Sequence, residues 1–313
     1  MVNSTPTRLR HLITLDGLDR STLSRLLDSA AHLREQFGRE HRCPPLLANR
    51  TMVNLFFETS TRTRSSFELA ARRLGAHVLN FDITQSSAGK GETLEDTLAT
   101  LEAMSADAFV VRHKENGTPQ RLAAATRQAS ILNAGDGNHA HPTQGLLDAL
   151  TIRDRLGRID GAVVAICGDI RHSRVARSDV HALRVFGAGE IRLCGPSTLL
   201  PDATDEFPDC ILTDDFDAAI AGADVLIMLR LQRERMKAGL IADDADYFRR
   251  YGLDVARLRR ASPDAIVMHP GPMNRGVEIS DDVADGRQSA VLDQVANGVF
   301  VRMAVLVELI GES

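Results

Sequence analysis

The chain has 313 residues, of which 43% are hydrophobic, 25% are charged and 4% are aromatic. This is the composition of a globular protein large enough for two α/β domains. The formal net charge of −5 argues against a nucleic-acid-binding surface, but it leaves room for a local basic pocket that binds an anionic small molecule.

Two further features bear on the location of the protein. No apolar run approaches the ~18 residues that a membrane helix needs, and residues 1–18 lack the apolar core of a signal peptide. The cysteines Cys43, Cys167, Cys194 and Cys210 form no C-x-x-C pair, and we expect them to be reduced residues of the core. The sequence therefore predicts a cytoplasmic protein with no membrane partner.

The first half of the chain alternates helical and extended patterns of apolar residues. The spacing of leucine and alanine predicts a first helix over 21–37, and an apolar run predicts a strand over 51–57. Further helices are expected at 67–74, 92–104 and 143–156, and further strands at 78–83, 108–111 and 131–134. The Ser/Gly-rich segment 84–91, which contains Lys90, is predicted to be a loop.

The second half begins with residues 162–167, a continuous apolar run typical of a buried parallel strand. Strands are then expected at 190–194, 210–213, 224–229 and 265–269, and helices at 174–186, 215–221, 253–260 and 289–310. The sequence therefore predicts an α/β fold of two doubly wound parallel-sheet domains joined by helices, with the active site in the crevice between them. The first domain would cover 1–148 and be completed by a C-terminal helix at about 290–313, and the second would cover 149–289.

The segment Ser60-Thr61-Arg62-Thr63-Arg64 lies between a predicted strand and a predicted helix. A helix start has unpaired backbone N–H groups and the positive end of the helix dipole, so hydroxyls and guanidiniums placed there suit a phosphate. Ser and Thr are also the ordinary capping residues, and the two arginines would then be solvated. On this segment alone, both interpretations stay open.

Other polar residues also follow predicted strands. Arg112 follows the strand at 108–111, and His141 follows the strand at 131–134 after a short polar segment. Ligands of open parallel sheets bind beyond the carboxyl ends of the strands, so these residues are expected to converge with 60–64. Their convergence favours the anion-site interpretation of that segment.

In the second half, Arg174 and Arg230 follow predicted strands. Arginine binds carboxylates through two parallel hydrogen bonds, so a pair of arginines would suit a dicarboxylic acid. Arg230 also begins a run of charged residues, which is more typical of a solvated surface, and that alternative stays open. The turn His269-Pro270-Gly271-Pro272 is expected to be rigid and to aim backbone carbonyls at an amine or amide.

Three weaker motifs do not support a cofactor or a metal ion. Residues 168–174 follow a strand but lack the G-x-G-x-x-G pattern of dinucleotide-binding folds, and Gly89-Lys90-Gly91 lacks the rest of a P-loop. His139 and His141 have no third ligand nearby in the sequence, so a neutral histidine that donates to an oxygen is favoured over a metal ligand. We expect no cofactor and no metal.

Together these motifs resemble those of the aspartate carbamoyltransferase family, within the aspartate/ornithine carbamoyltransferase superfamily, over essentially the full length of the chain. The matching patterns are F-x-E-x-S-T-R-T-R at 56–64, a mobile loop at 86–93, V-R-H at 111–113, H-P-T-Q at 141–144, G-D-x-x-x-S-R at 168–174, R-x-Q at 230–232 and H-P-G-P-x-x-R-G-x-E-I at 269–279. Two positions depart from the family pattern. Gly89 precedes Lys90 where some members carry two lysines, and Lys114 replaces the proline that commonly follows V-R-H.

The resemblance implies a carbamoyl-phosphate domain, an aspartate domain and a homotrimer whose active sites are shared between subunits. The catalytic residues that it implies are Arg62, Thr63, Lys90, Arg112 and His141. The carbamoyl-phosphate ligands that it implies are Ser60, Thr61, Arg62, Thr63, Arg112, His141, Gln144, Gly271 and Pro272. For L-aspartate they are Lys90, Arg174, Arg230 and Gln232. A neighbouring chain would supply Ser86 and Lys90, and Glu58 would help to tie the closed domains together.

The reaction implied by the resemblance is transfer of the carbamoyl group of carbamoyl phosphate to the amine of L-aspartate, in de novo pyrimidine biosynthesis. The ornithine enzyme shares the phosphate motif, but its H-C-L-P turn and its S-M-G segment are absent from this sequence. The alternatives are a related carbamoyltransferase with another acceptor and an inactive paralogue. Whether dihydroorotase or a regulatory chain joins the trimer stays open.

Overall fold

The computed structural model describes residues 8–81, 93–202, 206–232 and 243–312. The chain divides into two compact units, which we call the first unit and the second unit. Met1–Leu147 and Ala296–Ser313 form the first unit, and Asp148–Val295 forms the second.

The first unit is built on a four-stranded parallel sheet. Its strands are β1 (Thr51–Phe56), β2 (His77–Phe81), β3 (Ala108–His113) and β4 (Ser130–Asp136), in the spatial order β2-β1-β3-β4. β1, β3 and β4 are buried along most of their length, as expected of strands that are covered on both faces. The chain goes from β1 outward to β2 and then returns to β3 on the other side of β1, so the strand order reverses between β1 and β3. The ligand crevice of this sheet is therefore expected at the carboxyl ends of these two strands.

The described helices of the first half are α1 (Arg20–Glu40), α2 (Thr61–Arg73), α3 (Leu94–Ala103), α4 (Thr118–Ala125) and α5 (Pro142–Leu156). α1 begins after Asp19, whose carboxylate accepts a hydrogen bond from the Thr22 backbone at 2.7 Å. Its buried stripe consists of Leu23, Leu26, Leu27, Ala30 and Leu33. This spacing follows the helical period that predicted α1 from the sequence.

The second unit contains a five-stranded parallel sheet. Its strands are β5 (Val163–Cys167), β6 (Glu190–Cys194), β7 (Ile211–Thr213), β8 (Val225–Met228) and β9 (Ile266–Met268), in the order β7-β6-β5-β8-β9. The helices are α6 (Arg174–Val185), α7 (Phe216–Ile220), α8 (Asp244–Tyr251), α9 (Val255–Leu258), α10 (Asp281–Ala284) and α11 (Val291–Ile310), and the last of them ends in the first unit. The strand order reverses between β5 and β8, so the ligand crevice of this sheet is expected at the carboxyl ends of these two strands.

The predicted architecture of two doubly wound parallel-sheet α/β domains is confirmed. The sequence analysis missed α4, α8 and α10, because each has at most eight residues and buries only a small apolar face. The expectation of four core cysteines is wrong for Cys43 and Cys210, which are only partly buried, whereas Cys167 and Cys194 lie in the core. Across the described parts of the chain, no helix has the length and apolar character needed to cross a membrane.

Candidate active site

The N-terminus of α2 lies at the carboxyl end of β1 and carries the hydroxyl- and arginine-rich segment. Ser60 occupies the capping position with φ −157° and ψ 82°, but its side chain makes no capping hydrogen bond. The ordinary capping role is therefore not realised, although the Ser60 carbonyl accepts from Arg64 N at 3.1 Å. The first turn of α2 contains no acidic residue, so its positive end faces no carboxylate of its own.

Arg112 lies at the carboxyl end of β3, the strand next to β1. Its guanidinium is held by two groups of the first unit: Nη1 donates to Ala134 O at 3.2 Å, and Nε lies 3.2 Å from Glu58 Oε2. The side chain is only 14% exposed. Glu58 thus contacts Arg112 within the first unit, a contact that the resemblance did not imply for it.

His113, the next residue, serves the structure of the loop after β3. Its Nδ1 accepts hydrogen bonds from Glu115 N at 3.0 Å and from Thr118 Oγ1 at 3.1 Å, and its ring packs edge-on against Phe57. Burial lowers the pKa of His113 below its ordinary value. We therefore assign the histidine of V-R-H to loop structure, since a neutral ring bonded in this way supports the start of α4.

Asp136, at the end of β4, organises the loop that leads to His141. Oδ1 accepts hydrogen bonds from Asn133 Nδ2 at 2.8 Å and Ala140 N at 3.1 Å, and Oδ2 accepts from Gly117 N at 2.9 Å. Oδ2 also bonds His139 Nδ1 at 3.0 Å. Burial alone would raise the pKa of Asp136, but these hydrogen bonds outweigh it and lower the pKa. The sequence analysis did not identify this residue.

His141 and Gln144 lie at the N-terminus of α5, and both are buried. The His141 carbonyl accepts the Gln144 N–H at 2.9 Å and so opens the helix. His139, by contrast, is directed to Asp136 and is about half exposed. Within the residues described, no cluster of three or more potential ligands could hold a metal ion. The first sheet thus carries residues 60–63, Arg112, His141 and Gln144 at its carboxyl edge, and we call them the first half-site.

In the second unit, the loop after β5 leads to Arg174. Gly168 has φ +134°, and a Cβ at this position would lie 2.7 Å from Leu229 O, so only glycine fits. Ser173 caps α6 by accepting from Ala176 N at 3.0 Å, which places Arg174 first in the helix. Arg174 is only 6% exposed. A buried guanidinium at the start of the helix that follows a strand suits an anionic ligand.

Arg230 and Gln232 follow β8, the strand beside β5. Arg230 is partly buried, and Gln232 Nε2 donates to His172 O at 3.1 Å, which joins the two loops. Asp169 accepts from His172 N at 3.2 Å and bonds His172 Nδ1 at 2.8 Å. Burial raises the pKa of Asp169, although His172 opposes that shift.

The turn after β9 is tied by the His269 side chain. His269 Nδ1 accepts from Gly271 N at 2.8 Å, and Nε2 donates to Glu278 Oε1 at 3.2 Å. Glu278 Oε1 also accepts from Asn274 N at 2.9 Å. The Gly271-Pro272 peptide bond is cis. We refer to this segment as the 269–274 turn, and to Arg174, Arg230, Gln232, Gly271 and Pro272 as the second half-site.

Two residues named from the sequence, Ser86 and Lys90, lie outside the described residues, as does the charged run that follows Gln232. Asp136 and Glu278 are two buried acids whose structural roles the sequence reasoning did not identify. Asp136 lies between Gly135 and Gly137 just after a predicted strand, and Glu278 belongs to the motif at 269–279, but a search for ligand-binding side chains does not recognise an acid that holds a loop.

Comparison with known proteins shows which family the chain is related to. Residues 10–154 match the family profile described as "Aspartate/ornithine carbamoyltransferase, carbamoyl-P binding domain", and residues 160–309 match "Aspartate/ornithine carbamoyltransferase, Asp/Orn binding domain". The chain is 59% identical over 306 residues, 97% of each chain, to the aspartate carbamoyltransferase catalytic subunit of Xanthomonas campestris pv. campestris strain B100. It is 57% identical over 307 residues, again 97% of each chain, to that of Stenotrophomonas maltophilia strain R551-3.

Two solved structures share the fold. Aspartate transcarbamoylase from Trypanosoma cruzi, crystallised with carbamoyl aspartate and phosphate, has a TM-score of 0.88 and 34% identity, with 99% of this chain and 100% of that chain covered. Ornithine carbamoyltransferase from Thermus thermophilus has a TM-score of 0.84 and 27% identity, with 97% and 99% covered. On profile, identity and fold together, the chain belongs to the aspartate/ornithine carbamoyltransferase family.

Proposed function

We propose that this chain is an aspartate carbamoyltransferase catalytic subunit, which converts carbamoyl phosphate and L-aspartate into N-carbamoyl-L-aspartate and phosphate in de novo pyrimidine biosynthesis. The observation that carries the proposal is the 59% identity, over 97% of both chains, to a relative with that name. The Trypanosoma cruzi relative was crystallised with this product pair. Both half-sites also have the charge that the two substrates require.

The first half-site binds carbamoyl phosphate in this proposal. Ser60, Thr61, Arg62 and Thr63 surround the phosphate with hydroxyls, backbone N–H groups and a guanidinium at the start of α2. Thr63, Arg112, His141 and Gln144 address the carbamoyl group, and Lys90 contributes its positive charge to aspartate binding and to catalysis. The Ser60 hydroxyl is suited to this task because it does not cap its own helix.

The second half-site binds L-aspartate in this proposal. Arg174 and Arg230 would each pair with one carboxylate, and Gln232 would add an amide donor. Arg174 is the stronger candidate because it is almost fully buried, and an ion pair in such surroundings is less screened by water. The carbonyls of the 269–274 turn would accept hydrogen bonds from the carbamoyl amide.

The chemistry needs positioning and charge rather than a covalent nucleophile. The aspartate amine attacks the carbonyl carbon, a C–N bond forms, and the carbonyl oxygen becomes an oxyanion that Thr63, Arg112 and His141 stabilise. The C–O bond to phosphate then breaks, and the leaving phosphate takes the proton of the amine. No cofactor or metal takes part in this scheme.

We further propose a cytoplasmic homotrimer in which Ser86 and Lys90 of one chain complete the site of its neighbour. The relatives are named as subunits, which supports an assembly of more than one chain. Dihydroorotase or a regulatory chain would be the partner of a larger assembly. Sedimentation of the purified protein, alone and in cell extract, tests the trimer and any larger complex.

Phosphate release tests the reaction and its acceptor. The purified protein is incubated with carbamoyl phosphate and either L-aspartate or L-ornithine, and we expect release with aspartate only. Ornithine is the relevant competitor, because the Thermus thermophilus ornithine enzyme shares the fold. Release with ornithine alone would reassign the acceptor, and no release with either amino acid would identify an inactive paralogue.

A further inference from the structure

The 269–274 turn has few backbone donors, and buried side chains bind most of them. Two of its six residues are prolines, which have no N–H, so four donors remain. Three of these four donate to side chains: His269 N to Gln294 Oε1 at 2.9 Å, Gly271 N to His269 Nδ1 at 2.8 Å, and Asn274 N to Glu278 Oε1 at 2.9 Å. The three accepting side chains belong to residues that are at most 2% exposed.

The carbonyl groups in the middle of the turn are not used in this way. Among the described residues, no group donates a hydrogen bond to the carbonyl of Gly271 or Pro272. Gly271 is only partly buried, and Pro272 is exposed. The donors of the turn are therefore bound by the protein, whereas these two acceptors are available to a ligand that carries N–H groups.

One imidazole–carboxylate pair holds the backbone on both sides of these carbonyls. Because His269 Nδ1 accepts the Gly271 N–H, the proton of the neutral ring lies on Nε2, which donates to Glu278 Oε1 at 3.2 Å. The same Glu278 oxygen accepts the Asn274 N–H. Both side chains are 0% exposed, so water does not compete for these bonds.

The pair is itself anchored outside the turn. The Glu278 carbonyl accepts from Leu253 N at 3.1 Å, which ties this residue to the segment after α8. Gln294, which binds the His269 N–H, donates through Nε2 to Asp148 Oδ1 at 2.6 Å. The position of the turn is therefore set by residues that are distant from it in sequence.

We propose that His269 and Glu278 are positioning residues, which bind the N–H groups of the 269–274 turn and so hold the Gly271 and Pro272 carbonyls in place for the N–H groups of a ligand. In the proposed function that group is the carbamoyl amide. The kinetic consequence rests on the proposed function, whereas the hold on the turn does not. Both residues act through the backbone of the turn rather than on the reacting atoms.

Steady-state kinetics of two Glu278 variants tests the positioning role. Glu278→Met removes the acceptor at similar side-chain volume, and we expect kcat/KM for carbamoyl phosphate to fall about tenfold, through a lower kcat and a higher KM, because the carbonyls are displaced. Glu278→Gln keeps an acceptor oxygen for His269 and Asn274. Since Glu278 Oε2 accepts no hydrogen bond in the described chain, an amide there breaks none, and kcat/KM should stay within about threefold of the wild type.

His269→Gln gives the same readout as Glu278→Met if that variant does not fold, because its amide reaches Glu278 but offers the Gly271 N–H no acceptor. Glu102→Met is the matched control. Glu102 Oε1 also accepts backbone N–H groups, from Gln128 at 2.6 Å and Ala129 at 2.8 Å, but before the amino end of β4. It should lower the thermal midpoint and keep the wild-type kinetic constants. Wild-type kcat/KM in Glu278→Met and His269→Gln, or an equal loss in Glu102→Met, would overturn the positioning role.

Hydrogen exchange, followed by mass spectrometry, tests the hold on the turn without any turnover. In peptides that cover 269–279, the protected amides should exchange about tenfold faster in Glu278→Met than in the wild type, because the Asn274 N–H loses its acceptor, and Glu278→Gln should follow the wild type. Equal exchange in the wild type and Glu278→Met would overturn the hold on the turn. If the wild type does not turn over carbamoyl phosphate at all, the proposed function fails, but the exchange rates still decide whether the pair holds the turn.

Discussion

Asp136→Asn is expected to weaken the first unit and to slow catalysis, because it breaks the loop that precedes His141. The asparagine offers one acceptor oxygen where the carboxylate offers two. If that oxygen keeps Asn133 and Ala140, then the amide NH₂ faces the N–H of Gly117 and the ring of His139.

The size of the effect follows from these contacts. A hydrogen bond to a charged group contributes about 1.5–3 kcal/mol, and the lost Gly117 bond also leaves its N–H facing another donor. The His139 contact is nearly half exposed, so we discount it. The expected loss is about 2–3 kcal/mol, which for a unit of this size lowers the thermal midpoint by roughly 5–10 °C. Displacement of His141 should lower kcat about tenfold.

Thermal unfolding and phosphate-release kinetics measure the two effects. Asp107→Asn is the matched control, because Asp107 lies at the opposite, amino edge of the same sheet and accepts hydrogen bonds from Thr51 N at 2.7 Å and Arg50 Nη1 at 2.9 Å. The Asp107→Asn variant should be less stable than the wild type but retain the wild-type kcat. The reasoning is refuted if Asp136→Asn keeps the wild-type kcat, or if Asp107→Asn loses kcat by the same factor.

Arg174→Ala is expected to lower kcat/KM for aspartate roughly a hundredfold, since a buried charge pair contributes about 3 kcal/mol. KM for carbamoyl phosphate should stay unchanged. A loss of the same factor for carbamoyl phosphate as for aspartate would contradict the assignment of Arg174 to aspartate. Mixing Lys90→Ala chains with Arg62→Ala chains should restore activity in hybrid trimers, because some sites then combine two intact halves, and no recovery would refute shared sites. His113→Ala should lower the thermal midpoint by a few degrees and keep kcat, because its ring bonds only to loop groups among the contacts described. A tenfold loss of kcat in this variant would show that His113 has a role in the reaction.

The sequence predicted the fold because its signals are long and repetitive. Continuous apolar runs such as 162–167 lie in strands that are buried on both faces, and the leucine spacing of 21–37 lies in α1. Short elements gave weaker signals. α8 buries only Tyr247 and Tyr251, so its period covers little more than one turn.

For the candidate site, the sequence predicted residues that project from strand ends, such as Arg112 and Arg174, because an open parallel sheet brings those ends to one edge. It did not predict the residues that hold them. Gln294 is 25 positions from the His269 N–H that it binds and 146 from Asp148, and no local pattern links such distant partners. These contacts depend on how helices pack on the sheet, which a single sequence does not specify.

The two acidic loops show why even a recognised pattern does not determine its own chemistry. The pattern G-D-x-x-H occurs at the carboxyl end of β4 (135–139) and directly after β5 (168–172), and in both copies a fully buried aspartate bonds the Nδ1 of the histidine. Yet the pKa of Asp136 is lowered while that of Asp169 is raised. Asp136 also receives hydrogen bonds from Asn133 and from the backbone of Gly117, which α4 brings near, and these outweigh its burial. Asp169 receives fewer hydrogen bonds, so its burial determines the direction in which its pKa shifts. The donors that the surrounding fold delivers, rather than the pentapeptide, therefore decide which aspartate keeps its charge most firmly.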